Sequence, residues 1–101
     1  MKNKIANFLK KNKLNFDNKV LCLVGFKKFK KNVSQYSDND EFLVEFSDVE
    51  IFITSQNKFR EFHINYENII ECNVFENVLF IKYFDKDQGN DKITYDFEIK
   101  I

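Results

Sequence analysis

A hydrolytic or transferase site in this chain would depend on its single histidine, His63, and its two cysteines. Nucleophilic catalysis needs a nucleophile, a base and a group that orients the base. Cys22 and Cys72 lie within apolar, strand-like runs, where a thiolate is disfavoured. His63 points with Glu61 toward a more polar side, with Glu50 as its expected cross-strand neighbour. The pattern predicts a structural or surface histidine, no catalytic residue and no enzymatic activity.

The cysteines have no C-x-x-C spacing, which favours free thiols packed as small hydrophobic groups. A disulfide between them would be unusual in a reducing compartment. No run reaches about eighteen uncharged apolar residues, and the N-terminus lacks the apolar centre of a secretory signal. We therefore expect no membrane span and a cytoplasmic location.

Three aspartates in the segment DKDQGND, residues 85–91, alternate as in the first half of a calcium loop. Gly89 and Asn90 fall one place away from the order that such a loop requires. The weak metal candidates are Asp85, Asp87 and Asp91, but the prediction is a solvated hairpin loop without metal. The chain has only two glycines and no glycine-rich phosphate loop, so no cofactor is expected.

The segment FKKFKK, residues 26–31, interleaves aromatic rings with cations. Such a segment can neutralise phosphates and stack on bases, which predicts nucleic-acid binding as one function. In the alternative interpretation its two phenylalanines join the core and its lysines keep a strand end soluble. The candidate partner-binding residues are Lys27, Lys28, Lys30, Lys31, Tyr36, Asp38 and Asp40.

The zero net charge conceals an asymmetry along the chain. Residues 1–31 contain ten lysines and one acid, whereas residues 32–101 contain six basic and fifteen acidic residues. The halves could neutralise each other in packing, or form a basic and an acidic surface. An acidic surface could present carboxylates in place of phosphates and occupy the basic groove of a nucleic-acid-binding enzyme.

These patterns predict a protein-binding module that acts as an adaptor or an inhibitor. Gly, Ala, Arg and Pro together number only four, which is typical of AT-rich genes of bacteria and phages. A phage-encoded inhibitor of a bacterial defence system, such as an anti-CRISPR protein, is one class that fits.

The 101 residues, 44% of them hydrophobic, predict a single domain. Ile5, Phe8 and Leu9 indicate a helix over residues 2–12 that docks on the core rather than on a membrane. A mostly β (α+β) fold follows, because antiparallel strands without intervening helices form a sandwich or a partly open barrel. The seven strands are expected at about 19–29, 41–46, 49–54, 59–64, 69–75, 78–84 and 92–100.

Gly25 interrupts the first strand and predicts a bulge or a close backbone approach. Residues 32–40 have loop composition and predict a mobile loop. A hairpin around Ser47 and Asp48 would place Glu45 opposite Glu50, and the following strand would place Ile51 opposite Phe62.

The segment Ile69–Phe84 predicts a hairpin with a definite register. Its turn lies at Glu76 and Asn77. The expected pairs are Val74 with Leu79, Cys72 with Ile81, Ile70 with Tyr83, Glu71 with Lys82 and Phe75 with Val78.

The last strand has the clearest alternation, with apolar residues at every second position from Ile93 to Ile101. One face of this strand must be buried and the other exposed to water. If the strand lies at an edge of the sheet, it could pair with a second copy and form a homodimer.

The motif at residues 64–69, followed by a hairpin and the strand at residues 77–83, resembles bacterial pleckstrin-homology-like domains of the GRAM type. Those domains carry I-x-Y-x-x-I before a hairpin and L-x-I-x-Y in a strand. The resemblance implies a seven-stranded module that binds peptides or lipids. Such domains close the barrel with a C-terminal helix, whereas this sequence ends in a strand at Ile101, so either the N-terminal helix takes that role or the fold is a different small barrel.

Overall fold

A computed structural model describes residues 2–30, 33–56, 60–85 and 93–101. Its helix α1 spans Lys2–Lys11, and a 3₁₀ turn at Tyr66–Asn68 links the fourth and fifth strands. The strands are β1 (Asn18–Lys30), β2 (Val33–Phe46), β3 (Glu50–Ser55), β4 (Glu61–Asn65), β5 (Ile69–Phe75), β6 (Val78–Asp85) and β7 (Ile93–Lys100).

All seven strands belong to one antiparallel sheet in the order β4-β3-β2-β1-β7-β6-β5. The sheet curls into a half-barrel, so the predicted mostly β class is confirmed. Of the two architectures left open, the partly open barrel describes the molecule, because one continuous sheet replaces two stacked sheets. The concave face of this sheet carries the core.

Helix α1 contributes three buried side chains to the core, Ile5, Phe8 and Leu9. The rings of Phe8 and Phe46 lie 6.5 Å apart, which joins the helix to β2. The helix ends where Lys13 adopts a left-handed φ of 61° and donates its N–H to Lys10 O. Docking on the core is confirmed. Among the described residues no helix is long and apolar enough to cross a membrane.

The predicted bulge at Gly25 is confirmed. The register between β1 and β2 shifts between Val24 and Phe26. A Cβ atom at Gly25 would overlap Oδ1 of the Asn39 side chain, so the absence of a side chain at Gly25 leaves room for that amide. The bulge lets one long strand bend within a curled sheet.

The mobile loop predicted for residues 32–40 is wrong over the described residues 33–40, which form the first part of β2. Tyr36 pairs with Lys27 and Ser34 pairs with Phe29. The extended partner strand β1 supplies the backbone hydrogen bonds, and this tertiary context overrides the low strand preference of Ser, Asp and Asn.

The register predicted around Ser47 is wrong by two residues. Phe46 pairs with Ile51, because Ser47 Oγ accepts hydrogen bonds from the N–H groups of Val49 and Glu50 and so lengthens the turn. Glu45 therefore lies opposite Phe52 rather than Glu50.

Because of this shift the expected like-charge pair of Glu45 and Glu50 does not arise, and Glu45 instead forms an ion pair of 3.5 Å with Lys19 of β1. The predicted pairing of Ile51 with Phe62 in the next hairpin is wrong as well, since Ile51 pairs with Ile64.

The hairpin of β5 and β6 has the predicted register except at its start. Four of the five expected pairs occur, with Glu71 opposite Lys82 among them. The pairing of Ile70 with Tyr83 is wrong, because a bulge at Ile70 brings Ile69 opposite Tyr83. The bulge turns the Ile70 side chain outward, where it is exposed.

The alternation in β7 is confirmed, since Ile93, Tyr95, Phe97 and Ile99 are all buried. The expectation that β7 lies at an edge is wrong. It lies between β1 and β6, and the edges of the sheet are β4 and β5. Because β1 and β6 already pair with the two sides of β7, a second copy cannot add a strand to it. Homodimerisation by another route stays a prediction.

Phe97 is 2% exposed, and we expect Phe97→Ala to lower the free energy of unfolding by about 3–5 kcal/mol. The matched control is Phe75→Ala, because Phe75 is 68% exposed and should cost about 0.5 kcal/mol or less. Urea denaturation of both variants measures the difference. Equal losses would contradict the assignment of the concave face as the core.

Candidate functional site

A groove of about 360 Å³ runs between helix α1 and edge strand β5. Strands β1 to β4 separate the two elements in sequence, so they meet only in the folded chain. The residues that line the groove are Lys4, Asn7, Phe8 and Lys11 from α1, with Asn73 and Val74 from β5.

Strand β5 presents backbone hydrogen-bonding groups to this groove. The ammonium of Lys4 donates a hydrogen bond of 3.0 Å to Cys72 O, so that carbonyl points away from β6. In an antiparallel ladder the backbone groups of alternate residues face the same way, and those of Val74 therefore also face outward. An edge that no further strand pairs with is a template for another extended chain.

Apolar side chains lie beside this edge. Val74 is 37% exposed and Phe75 is 68% exposed, and the bulged Ile70 is exposed at the other end of the strand. Large exposed apolar groups next to unpaired backbone groups are a combination that binding surfaces use.

The helix side of the groove is basic. The exposed face of α1 carries four lysines, and residues 2–16 contain no acid. Lys4 and Lys11 line the groove itself, whereas the other two lysines, Lys2 and Lys10, lie outside it. The arrangement attracts an anionic group and gives it two ammonium donors.

The partner-binding candidates from the sequence are divided between two faces of β1 and β2. The ammonium of Lys27 lies 5.7 Å from the centroid of the exposed Tyr36 ring on the convex face. That of Lys28 lies 5.9 Å from the centroid of Tyr95 on the concave face.

Lys30 belongs to the face of Lys28, and Asp40 is exposed opposite Val24. Asp38 lies within β2. Lys31 lies outside the described residues. The structure thus brings Lys27 and Tyr36 together and separates them from Lys28.

Basic and acidic side chains alternate across part of the convex face. Lys82 lies opposite Glu71 on one side and Asp96 on the other, and Lys19 pairs with Glu45. Of these pairs, Lys19 with Glu45 joins the basic and the acidic half of the sequence, and Lys27 also lies opposite Asp96. The two halves therefore meet along β1, while α1 keeps its basic surface. A separate acidic surface stays a prediction.

His63 lies on the convex face of edge strand β4 and is exposed. Its Nδ1 lies 3.2 Å from Glu50 Oε1, and its ring stacks on Phe52 at 4.5 Å. The contact with Glu50 is the expected one, although the direct cross-strand partner is Phe52.

Both cysteines are free and buried in the core, as the sequence indicates. Burial raises the pKa of the Cys22 thiol to about 11. It also raises the pKa of the Cys72 thiol, although the nearby Lys4 acts in the opposite direction. Neither thiol is set up as a nucleophile.

The ranges that the structure describes contain no cluster of three or more His, Cys, Asp or Glu side chains that could hold a metal ion. Asp85 ends β6 and is half-buried. The other two weak metal candidates, Asp87 and Asp91, lie outside the described residues.

Sequence patterning did not reveal the groove. Lys4 and Val74 are each unremarkable in their own segments, and the contact between α1 and β5 joins residues 68 positions apart in the sequence. The one signal available was the basic, polar face of the helix, which the sequence assigns to solvent.

Comparison with protein-family models, curated protein sequences and solved structures finds no match for this chain. Membership of the pleckstrin-homology-like family stays a prediction.

Because both thiols are buried, we expect Cys22 and Cys72 to resist a disulfide thiol reagent at pH 8 and to react fully in guanidinium chloride. Measuring released thiolate against time in both conditions tests this. Rapid reaction of one thiol in the native protein would contradict its burial and would reopen the question of a reactive cysteine.

Proposed function

We propose that this chain is a non-enzymatic protein-binding module, an adaptor or an inhibitor, that holds an extended segment of its partner along β5. The observation that carries the proposal is the outward-facing carbonyl of Cys72, held by the flexible ammonium of Lys4 at the edge of a groove. A backbone N–H of a peptide strand can take the place of that ammonium as the donor to Cys72 O. Displacing a flexible lysine side chain is easier than breaking the backbone hydrogen bonds between two paired strands.

Binding begins with strand addition. An N–H of the partner donates to Cys72 O, and the outward N–H and C=O of Val74 continue the ladder. The released ammonium of Lys4 then pairs with a carboxylate of the partner, and Lys11 binds another. The main-chain bonds contribute affinity, and the side chains that fit against Phe8 and Val74 contribute specificity.

The partner segment should be acidic and different from this chain. A second copy placed on the same edge would bring its own lysine-rich helix alongside the first, and like charges in close contact oppose association. An extended segment with Asp or Glu at alternating positions meets both lysines and keeps its apolar side chains on the sheet.

A partner from a bacterial defence system would make the module an inhibitor, such as an anti-CRISPR protein, and another cellular protein would make it an adaptor. Affinity capture from lysate of the source bacterium, with and without nuclease, separates these outcomes. A single protein recovered in both conditions would be identified as the partner. Recovery that requires intact nucleic acid would instead favour the alternative below.

Reversing the groove charges with Lys4→Glu and Lys11→Glu should weaken binding of a fluorescent acidic peptide by about tenfold or more, since charge-assisted bonds are lost and repulsion is added. The probe is an eight-residue peptide of alternating Glu and Val, followed by fluorescence anisotropy. The matched control is Lys10→Glu with Lys13→Glu, which makes the same charge change on exposed residues outside the groove.

A peptide with methylated amides at alternate positions tests strand pairing itself, because it cannot donate to the edge. It should bind much less tightly than the parent peptide. Equal affinity of the two peptides, or an equal loss in the control variant, would show that the lysines attract anions without a strand-binding groove.

Nucleic-acid binding is the second candidate. Its supporting observation is that Lys27 lies against the exposed ring of Tyr36, which places a phosphate contact beside a surface for base stacking. The lysines on the two faces of β1 would then contact different parts of a single strand.

If nucleic acid is the ligand, replacing Lys27, Lys28, Lys30 and Lys31 by Glu should abolish binding of a labelled single-stranded oligonucleotide. Binding by the parent protein should also fall steeply as salt rises. Electrophoretic mobility shifts over a salt series measure both effects. Binding that survives the four substitutions would exclude this segment as the site.

A further inference from the structure

Strand β4 forms the second edge of the sheet. Strand β3 pairs with one side of it, from Glu50 opposite Asn65 to Thr54 opposite Glu61. In the part of the chain that the structure describes, no strand pairs with its other side. This outer side can therefore accept a further strand, and the residues of β4 decide which strand fits.

The outward-facing backbone groups of β4 follow from its pairing with β3. Just beyond the strand, the N–H of Tyr66 donates to Val49 O at 3.3 Å, so Tyr66 faces β3. Hydrogen-bonded and non-hydrogen-bonded pairs alternate along an antiparallel ladder, so every second residue back from Tyr66 also faces β3. Glu61 and His63 are at the alternate positions. Their N–H and C=O groups therefore face away from the sheet.

These groups are self-complementary. Two copies of β4 can run antiparallel with Phe62 of each copy at a two-fold axis. Glu61 of one copy then lies opposite His63 of the other, and the axis generates this pair twice. Within each pair the two residues exchange both backbone N–H···O=C bonds. A single register thus uses the outward groups of both residues on both copies.

The side chains on the convex face also match in this register. Glu61 and His63 are both exposed there, and each meets the other across the axis. In its protonated form an imidazole donates from both ring nitrogens. Nδ1 of His63 can then keep its 3.2 Å contact with Glu50 while Nε2 meets Glu61 of the second copy. Opposite charges directly across an antiparallel pair stabilise it.

On the concave face the two Phe62 rings meet at the axis. Each ring packs edge-on against Phe26 at 4.9 Å and Phe97 at 5.2 Å, yet Phe62 is only half-buried. The ring of the second copy would cover part of the surface that is still exposed, and aromatic pairs across strands are favourable. Both faces of β4 therefore fit the same register.

We propose that this chain forms a two-fold dimer in which β4 pairs with β4 of a second copy and the two sheets become continuous. The other edge is poorly suited to the same pairing, because lysines of α1 line the groove beside β5. Strand β4 contains no lysine or arginine. The dimer leaves the edge at β5 unused, and the inference does not depend on the function proposed for that groove.

Sedimentation velocity over a range of concentrations tests the assembly. One short strand buries little area, so we expect a weak dimer with a Kd of roughly 100 µM and a shift from monomer to dimer between about 10 and 500 µM protein. A monomer at every concentration would overturn the proposal. Species larger than a dimer would also overturn it, because they would indicate open-ended pairing of β4 with β5.

Amide hydrogen exchange of the ¹⁵N-labelled protein tests the register. The amides of Glu61 and His63 should exchange about threefold more slowly at the highest concentration than at the lowest, since only the dimer gives them strand partners. Those of Phe62 and Ile64 face β3 in both states and should exchange at the same rate at both concentrations. A dimer without this alternation would contradict the proposed pairing.

Glu61→Pro removes an outward N–H and leaves the ladder with β3 intact, since proline is tolerated in an edge strand where its nitrogen faces solvent. The substitution should raise the Kd of the dimer by about tenfold or more. The control is Lys2→Pro, which places proline at the first position of α1, where helices favour it. Unchanged dimerisation of Glu61→Pro, or an equal loss in the control, would overturn the proposal.

Glu61→Lys carries the test if Glu61→Pro does not fold, which thermal melting checks. It leaves the backbone unchanged and places an ammonium opposite His63 of the second copy, so the Kd should again rise by about tenfold. Glu98→Lys is the control, because it makes the same charge change at an exposed residue of β7. Equal effects of the two substitutions would show that net charge governs association and would overturn the proposal.

Discussion

The structure depends on strand β1 being hydrogen-bonded on both sides. It pairs with β2 along most of its length and with β7 from Leu23 to Lys30, so it belongs to both halves of the sheet. The bulge at Gly25 lies within this doubly paired region, where the strand must bend to serve both neighbours. The resulting curl creates a concave face that helix α1 covers with Ile5, Phe8 and Leu9. Without this bend the apolar side chains of the two halves would not share one core.

The same curl shapes the groove, because it brings an edge of the sheet next to an element that does not pair with it. Edge β5 meets α1, and Cys72 O accepts a hydrogen bond from Lys4 at the basic groove between them. At the other edge, the Phe62 ring of β4 packs edge-on against Tyr95 and Phe97 of β7, so strands that are not neighbours in the sheet share one aromatic cluster.

Patterns of two-residue period predicted much of the fold from the sequence. The alternation in β7 and the pairing of Glu71 with Lys82 depend on local chemistry that adjacent residues reveal. A local hydroxyl, that of Ser47, moved one register by two residues. Elsewhere prediction failed where a distant partner decided the outcome, since residues 33–40 are mostly polar and form a strand because β1 pairs with them. The groove was missed for the same reason, since Lys4 and Cys72 are 68 residues apart in sequence.

The pairing of β1 with β7 also governs how the chain can reach this structure. Leu23 lies opposite Lys100, so this ladder closes a loop of most of the chain, whereas the β5–β6 hairpin joins near neighbours. Closing such a loop costs chain entropy before its contacts form, and topologies with many distant contacts fold slowly. We expect the local hairpins to form first and the β1–β7 ladder to close late. Phi-values near zero at β7 positions would be the kinetic sign of that order. Until the ladder closes, both β1 and β7 present open edges, and the partly folded chain passes through a stage that is prone to aggregation.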